Sequence, residues 1–99
     1  MTIQFTNKML FGDQSKHDFH LAEIAKELDH YQSHIIRIEA RVTDEIGARD
    51  NKNDIRCLVE AWLEGRKPMA VTNKAHTIER AVSGATDKLK TVLHVILEH

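Results

Sequence analysis

The sequence has few of the residues that cross-link a chain or interrupt its secondary structure. Its 99 residues include one cysteine, one proline and four glycines. With Cys57 alone, no intramolecular disulfide can form, which is compatible with a reducing compartment. No apolar run approaches the roughly 20 residues that cross a bilayer, and residues 1–5 lack the basic and apolar regions of a secretory signal. We therefore expect a cytoplasmic protein with no membrane partner.

An excess of charge of either sign is also missing. Fourteen lysines and arginines face fifteen aspartates and glutamates, which gives a formal net charge of −1 at pH 7. Nucleic-acid-binding domains usually carry a basic excess, although a near-neutral chain can still place its cations on one face. Aromatic residues make up only 5% of the chain, so an extended base-stacking platform is not expected.

What the sequence does have is regular hydrophobic periodicity on the scale of one domain. Alternation of apolar and polar residues predicts strands over 2–7, 36–42, 55–63 and 69–75. In the second strand we expect one row of side chains to be buried, namely Ile36, Ile38, Ala40 and Val42. The intervening Arg37, Glu39 and Arg41 are expected to face solvent.

Two segments follow the helical period. Apolar stripes predict amphipathic helices over 17–33, with Ser15 as N-cap, and from Thr77, also an N-cap, to the end of the chain. Gly84 is expected to permit close packing of the second helix on the sheet. The order β-α-β-β-β-α predicts an α+β two-layer sandwich, in which two helices cover one face of a four-stranded, mainly antiparallel sheet.

The chain is expected to hold a single α+β domain over residues 1–96. Residues 97–99, Leu97-Glu98-His99, have the form of the start of a vector-encoded polyhistidine tail, and they are left out of the functional argument.

No group of residues has the spacing of a catalytic or metal site. His17 and His20 are three apart and His30 and His34 four apart, but neither pair has a third ligand at a diagnostic spacing. Cys57 falls on the inward side of its strand, where cysteine usually acts as a small apolar residue. The acidic residues of the polar segment 44–54 do not match a calcium-binding loop. We expect no enzyme activity, cofactor, bound metal or small-molecule substrate.

The basic residues are the remaining candidates for binding. As RNA-binding residues we select Lys26, Arg37, Arg41, Arg56, Lys88 and Lys90. Ordinary solubilising surface charge is the alternative, and the sequence leaves it open. Trp62 is predicted on the solvent face, either as part of an interface or shielded by arginine side chains.

Two stretches, RCLVEAWLEGRKPMAVT over 56–72 and TIERAVSGATDKLK over 77–90, resemble the short members of the ribosome hibernation-promoting factor and ribosome-associated inhibitor family. The element order is that of the family too. The resemblance implies a bacterial-type stress factor that docks on the small ribosomal subunit, contacts ribosomal RNA and blocks the channel for messenger and transfer RNA. Lys88 matches the family's helix lysine most closely, Lys90 lies one residue before a usual basic position, and Lys26 falls where the first helix often carries a lysine.

A second hypothesis is a protein-interaction or self-associating module on the same fold, with weak or no ribosome binding. It rests on the near-neutral charge and on Leu58 and Trp62, which are expected to be exposed. A monomer or weak dimer is expected under either hypothesis.

Overall fold

The computed structural model describes residues 1–9, 16–44 and 55–98. Its elements in chain order are β1 (Thr2–Asn7), α1 (His17–Leu28), a 3₁₀ helix (Asp29–His34), β2 (Ile35–Asp44), β3 (Ile55–Leu63), β4 (Met69–Ala75) and α2 (Ile78–Leu97). The strands form one sheet in the order β1-β2-β3-β4. The predicted α+β order is confirmed.

The sheet is mixed because of how its strands are connected. Strands β2, β3 and β4 pair antiparallel, whereas β1 pairs parallel to β2. A parallel pair needs a crossover connection, and the segment containing α1 supplies it. Between β3 and β4 the chain turns at Gly65, whose φ of 71° is a conformation that glycine adopts without steric cost.

One face of the sheet is buried under the helices and the other faces solvent. Along β3 every second side chain is buried, from Ile55 through Cys57, Val59 and Ala61 to Leu63. The two helices contact each other, and α2 packs on β3 and β4. We call the covered side of the sheet the inner face and the opposite side the outer face.

The prediction that Ile36 is buried was wrong. A β-bulge lies between Ile35 and Arg37, so Ile35 is the buried residue, while Ile36 is 55% exposed. An extra residue in one strand reverses the facing of the side chains before it, which simple alternation cannot represent. From Ile38 onward the predicted facing holds.

The first helix is shorter than predicted. Regular α-helix ends at Leu28, and residues 29–34 continue as a 3₁₀ helix that buries Tyr31. Ser15, the predicted N-cap, lies outside the described residues. So do residues 45–54, and with them most of the polar segment that was compared with a calcium-binding loop.

The second helix begins and packs as predicted. The side-chain oxygen of Thr77 accepts a hydrogen bond from the backbone N–H of Arg80 at 3.1 Å. At Gly84, an added β-carbon would overlap the side-chain amide of Asn73 on β4 and lie 2.7 Å from its Cγ. The Asn73 amide fills that space and donates to the carbonyl oxygens of Arg80 and Ala81, at 3.3 and 3.4 Å.

Helix α2 continues through Leu97, the first residue of the predicted tail. That residues 97–99 are vector-derived stays a prediction. Across the three described ranges, no helix is both long enough and apolar enough to span a membrane.

Candidate nucleic-acid interface

Strand register arranges the charged side chains of the outer face in rows. Arg37 lies opposite Trp62, Glu39 opposite Glu60, Arg41 opposite Leu58, and Thr43 opposite Arg56. On the next strand, Lys74 lies opposite Arg56. Side chains directly opposite each other in a sheet are about 5 Å apart at Cβ. The register therefore collects three exposed cations, Arg41, Arg56 and Lys74, at one end of the outer face, which we call the cationic end.

The cationic end contains a shallow hollow. Arg41, Thr43, Arg56 and Leu58 line an open volume of about 150 Å³. In the described part of the chain, neither Arg41 nor Arg56 pairs with a carboxylate. Two guanidinium groups and a threonine hydroxyl around a space of this size suit a phosphate group, because the planar guanidinium donates to two oxygens at once.

Arg37 is engaged differently from the other two outer-face arginines. Its guanidinium carbon lies 4.1 Å from the centroid of the Trp62 ring, and its Nη2 is 3.2 Å from the Glu39 carboxylate. Trp62 is partly buried beneath it. Of the two interpretations of Trp62, shielding by arginine is the one found, and the guanidinium occupies the ring face on which a base would stack.

The three predicted lysines lie on the helices and not on the outer face. Lys26 is exposed on α1. Lys90 on α2 lies 3.4 Å from the Glu27 carboxylate of α1. Lys88 donates to the backbone carbonyl of Thr72 at 2.9 Å, so its ammonium lies against edge strand β4. The six predicted RNA-binding residues thus divide between two layers of the molecule.

Sequence reasoning missed two contributors to the cationic end, Lys74 and Thr43. Neither residue is among the six RNA-binding residues predicted from the sequence. The signal was the hairpin itself: a turn centred on Gly65 pairs residues at equal distances from it, which places Lys74 opposite Arg56. Thr43 follows from the outer-face alternation of Arg37, Glu39 and Arg41 continued by two residues.

Cys57, the one candidate nucleophile, is held as an unreactive thiol. It is fully buried, and burial raises its pKa to about 12. Nucleophilic cysteines require the thiolate, which such a pKa suppresses at neutral pH.

The histidines are engaged separately. His17 Nε2 lies 3.1 Å from the backbone oxygen of Phe5, His20 stacks on the Phe5 ring, and His30 Nε2 lies 2.9 Å from the Glu98 carboxylate. Over the ranges 1–9, 16–44 and 55–98, no three His, Cys, Asp or Glu side chains group so that they could hold a metal ion.

Comparison with known proteins gives structural matches only. No protein-family model matches the sequence, and no curated protein matches it. The N-terminal domain of Protein Y from Thermus thermophilus is similar with a TM-score of 0.69 and 18% identity, over 94% of this chain and 96% of that one. A ribosomal subunit interface protein from Coxiella burnetii is similar with a TM-score of 0.63 and 22% identity, over 96% of each chain. The chain therefore has the fold of these two proteins, which is also the fold that the sequence resemblance implied.

Proposed function

We propose that this protein binds the ribosome in the cytoplasm and inhibits translation under stress, as a binding protein and not as an enzyme. The observation that carries the proposal is the cationic end of the outer face, where Arg41 and Arg56 flank a phosphate-sized hollow and neither pairs with a carboxylate of the described residues. A protein of the same fold is described as a ribosomal subunit interface protein, which supports the same partner.

In the proposed mechanism, phosphates of ribosomal RNA bind at the cationic end. Arg41 and Arg56 donate to phosphate oxygens directly, and Arg37, held by Trp62 and Glu39, contributes charge nearby. Lys26, Lys88 and Lys90 contact a second stretch of RNA from the helix layer. The domain inhibits by steric occlusion, because it occupies the channel for messenger and transfer RNA on the small subunit.

A salt titration of co-sedimentation with small ribosomal subunits tests the proposal. Each phosphate contact contributes about 0.9 to the slope of log affinity against log salt concentration. The double variant Arg41→Ala, Arg56→Ala is expected to reduce the magnitude of that negative slope by about two, since two contacts are lost. Lys67→Ala, an exposed cation on the β3–β4 turn, is the matched control and should leave the slope nearly unchanged.

Two outcomes would contradict the proposal. The first is no pelleting with small subunits at low salt, and the second is pelleting that does not respond to salt. An in vitro translation assay separates binding from inhibition, because added protein should lower the yield in proportion to ribosome occupancy.

The two side chains cited for the protein-interaction hypothesis are less exposed than expected. Leu58 and Trp62 are both partly buried, and Arg37 covers the tryptophan ring.

A further inference from the structure

Helices α1 and α2 enclose a groove whose lining includes none of the six proposed RNA-binding residues. Its volume is about 190 Å³, and its α1 side consists of Phe19, His20, Glu23 and Glu27. These four residues share one face of α1. Glu79 and Val82, which share one face of α2, line the opposite side of the groove. The packing of the two helices therefore forms the groove. It lies in the helix layer, on the opposite side of the sheet from the cationic end.

Three carboxylates line this groove, and two of them form ion pairs with lysines. Glu27 lies 3.4 Å from Lys90, and Glu79 lies 3.2 Å from Lys16. Glu23 has no ion-pair partner within the described residues and is exposed. A phosphate would be repelled here, whereas a cation is attracted by a local excess of negative charge.

His20 lines the same groove, and its ring has no hydrogen-bond partner among the described residues. It is only 4% exposed, stacks on Phe5 with ring centroids 5.1 Å apart, and makes no hydrogen bond to another described residue. Burial is the main cause that lowers its pKa below 6.5, so at neutral pH the ring keeps one accepting nitrogen. Because His20 lines the groove, this nitrogen is available there to a ligand that donates a hydrogen bond.

Phe19 adds an aromatic surface beside this nitrogen. Its ring packs edge-on against His20 with centroids 5.5 Å apart, yet Phe19 is 51% exposed. An exposed aromatic ring next to carboxylates and a hydrogen-bond acceptor is the environment that favours a flat, multidentate cation.

We propose that the groove between α1 and α2 binds an arginine side chain presented by a basic segment of a partner protein. The guanidinium donates to Glu23 and Glu27, a remaining N–H is available to His20, and the planar group stacks on Phe19. Lysine fits less well, because its ammonium is a compact charge that cannot stack and bond to several acceptors in one plane. The inference does not depend on ribosome binding, because none of the six proposed RNA-binding residues lines the groove, although Lys90 contacts Glu27 beside it.

A peptide-binding measurement on the full chain tests the inference. The probe is a blocked peptide of sequence Gly-Arg-Gly-Arg-Gly, and its lysine counterpart is the specificity control; binding is followed by NMR chemical shifts at low salt. Saturable shifts are expected at Phe19, His20 and Val82. Glu23→Gln and Phe19→Ala should each weaken binding about three- to tenfold, the range of one charge-assisted or cation–π contact.

Glu64→Gln is the matched control for charge, because Glu64 is an exposed carboxylate on the β3–β4 turn, outside the groove. It should change the affinity by less than twofold. Both groove variants alter exposed side chains, and circular dichroism verifies that they fold.

Several results would overturn the inference. One is an absence of saturable shifts, and another is equal weakening by Glu64→Gln and Glu23→Gln. Equal affinity for the lysine peptide or for spermidine would refute the assignment to arginine. RNA-oligonucleotide binding that Phe19→Ala weakens as much as it weakens peptide binding would refute the assignment to protein. Loss of ribosome binding with intact peptide binding would contradict only the proposed function.

Discussion

His20 is the buried residue whose protonation most directly affects stability. Its ring is packed against Phe5, and burial lowers its pKa below the ordinary value of 6.5. The unfolded chain therefore takes up a proton at a higher pH than the folded protein does. The unfolded state binds more protons as the pH falls through 6.5, so the free energy of unfolding decreases there and continues to decrease down to the folded-state pKa.

We predict that His20→Gln flattens this dependence, because glutamine does not titrate. Urea unfolding at pH 7.5 and 5.5 measures the change in the free energy of unfolding for each protein. The wild type should lose stability between the two pH values, and the variant should lose less. His76→Gln, which replaces an exposed histidine, is the control. An equal loss in wild type and His20→Gln would contradict the prediction.

Glu98 predicts a separate effect at lower pH. Its carboxylate accepts hydrogen bonds from His30 at 2.9 Å, from the Tyr31 hydroxyl at 2.8 Å and from His94 at 2.8 Å, and these bonds lower its pKa to about 2. The unfolded value is 4.5. The stabilisation is therefore complete above pH 4.5 and is lost as the pH falls from there toward 2.

Replacing Glu98 with glutamine should remove this component of acid sensitivity. Thermal unfolding followed between pH 5 and 3 should show a steeper fall in Tm for the wild type than for Glu98→Gln. Deleting residues 97–99, the predicted tail, should have the same consequence. Glu64→Gln, which alters a carboxylate outside this cluster, should retain the wild-type slope.

At the scale of elements, the contact of α2 with β4 depends on Gly84 and Asn73 together. Alanine is favoured over glycine in helices by about 1 kcal/mol, so Gly84→Ala alone would ordinarily stabilise. Here the new methyl group would displace the Asn73 amide and break its bonds to the carbonyls of Arg80 and Ala81. Each lost hydrogen bond costs about 1 kcal/mol, so the single variant should be neutral or destabilised.

A double-mutant cycle tests this coupling. In the Asn73→Ala background, Gly84→Ala has no amide to displace and should stabilise the protein by close to the full helix preference. The two backgrounds should differ by at least about 1 kcal/mol in the effect of Gly84→Ala, measured by urea unfolding. Equal stabilisation in both backgrounds would show that the contact between Asn73 and Gly84 does not contribute to the free energy of unfolding.

Strand and helix periodicity was sufficient to predict the elements but not their irregularities. The limits of β1, β3 and β4 and the cap at Thr77 follow from local patterns, because one face of each element is buried. The bulge at Ile35 and Ile36 does not, since it depends on how β2 fits between two neighbours. The 3₁₀ segment that buries Tyr31 likewise depends on tertiary packing, which local propensity cannot represent.

On the scale of the whole molecule, the net charge of −1 includes the opposite charges of a positively charged surface and a negatively charged surface. The outer face carries Arg41, Arg56 and Lys74 at one end, and the groove between the helices carries Glu23, Glu27 and Glu79. Composition could not predict this separation, because it arises from strand register and helix packing. The sequence identified the outer-face arginines as candidates, but it could not show that the lysines of α1 and α2 lie on another layer.

The two surfaces should therefore be separable by mutation. Arg41→Ala, Arg56→Ala should weaken ribosome co-sedimentation at moderate salt while leaving the affinity for the arginine peptide within about twofold of wild type. Glu23→Gln should do the reverse. Non-additive effects are not expected, because sites without shared partners rarely couple by more than about 0.5 kcal/mol. A large effect of either variant on both ligands would show that they share one surface.

From the parallel pairing of β1 with β2 we also expect a particular order of assembly. Strands β2, β3 and β4 follow one another as antiparallel neighbours, whereas β1 reaches β2 only through the crossover that contains α1. Pairings over longer sequence separations form later, since more chain entropy is lost when they close. The cationic end belongs to the early meander. We expect the groove, whose His20 stacks on Phe5 of β1, to be completed only when the first strand docks.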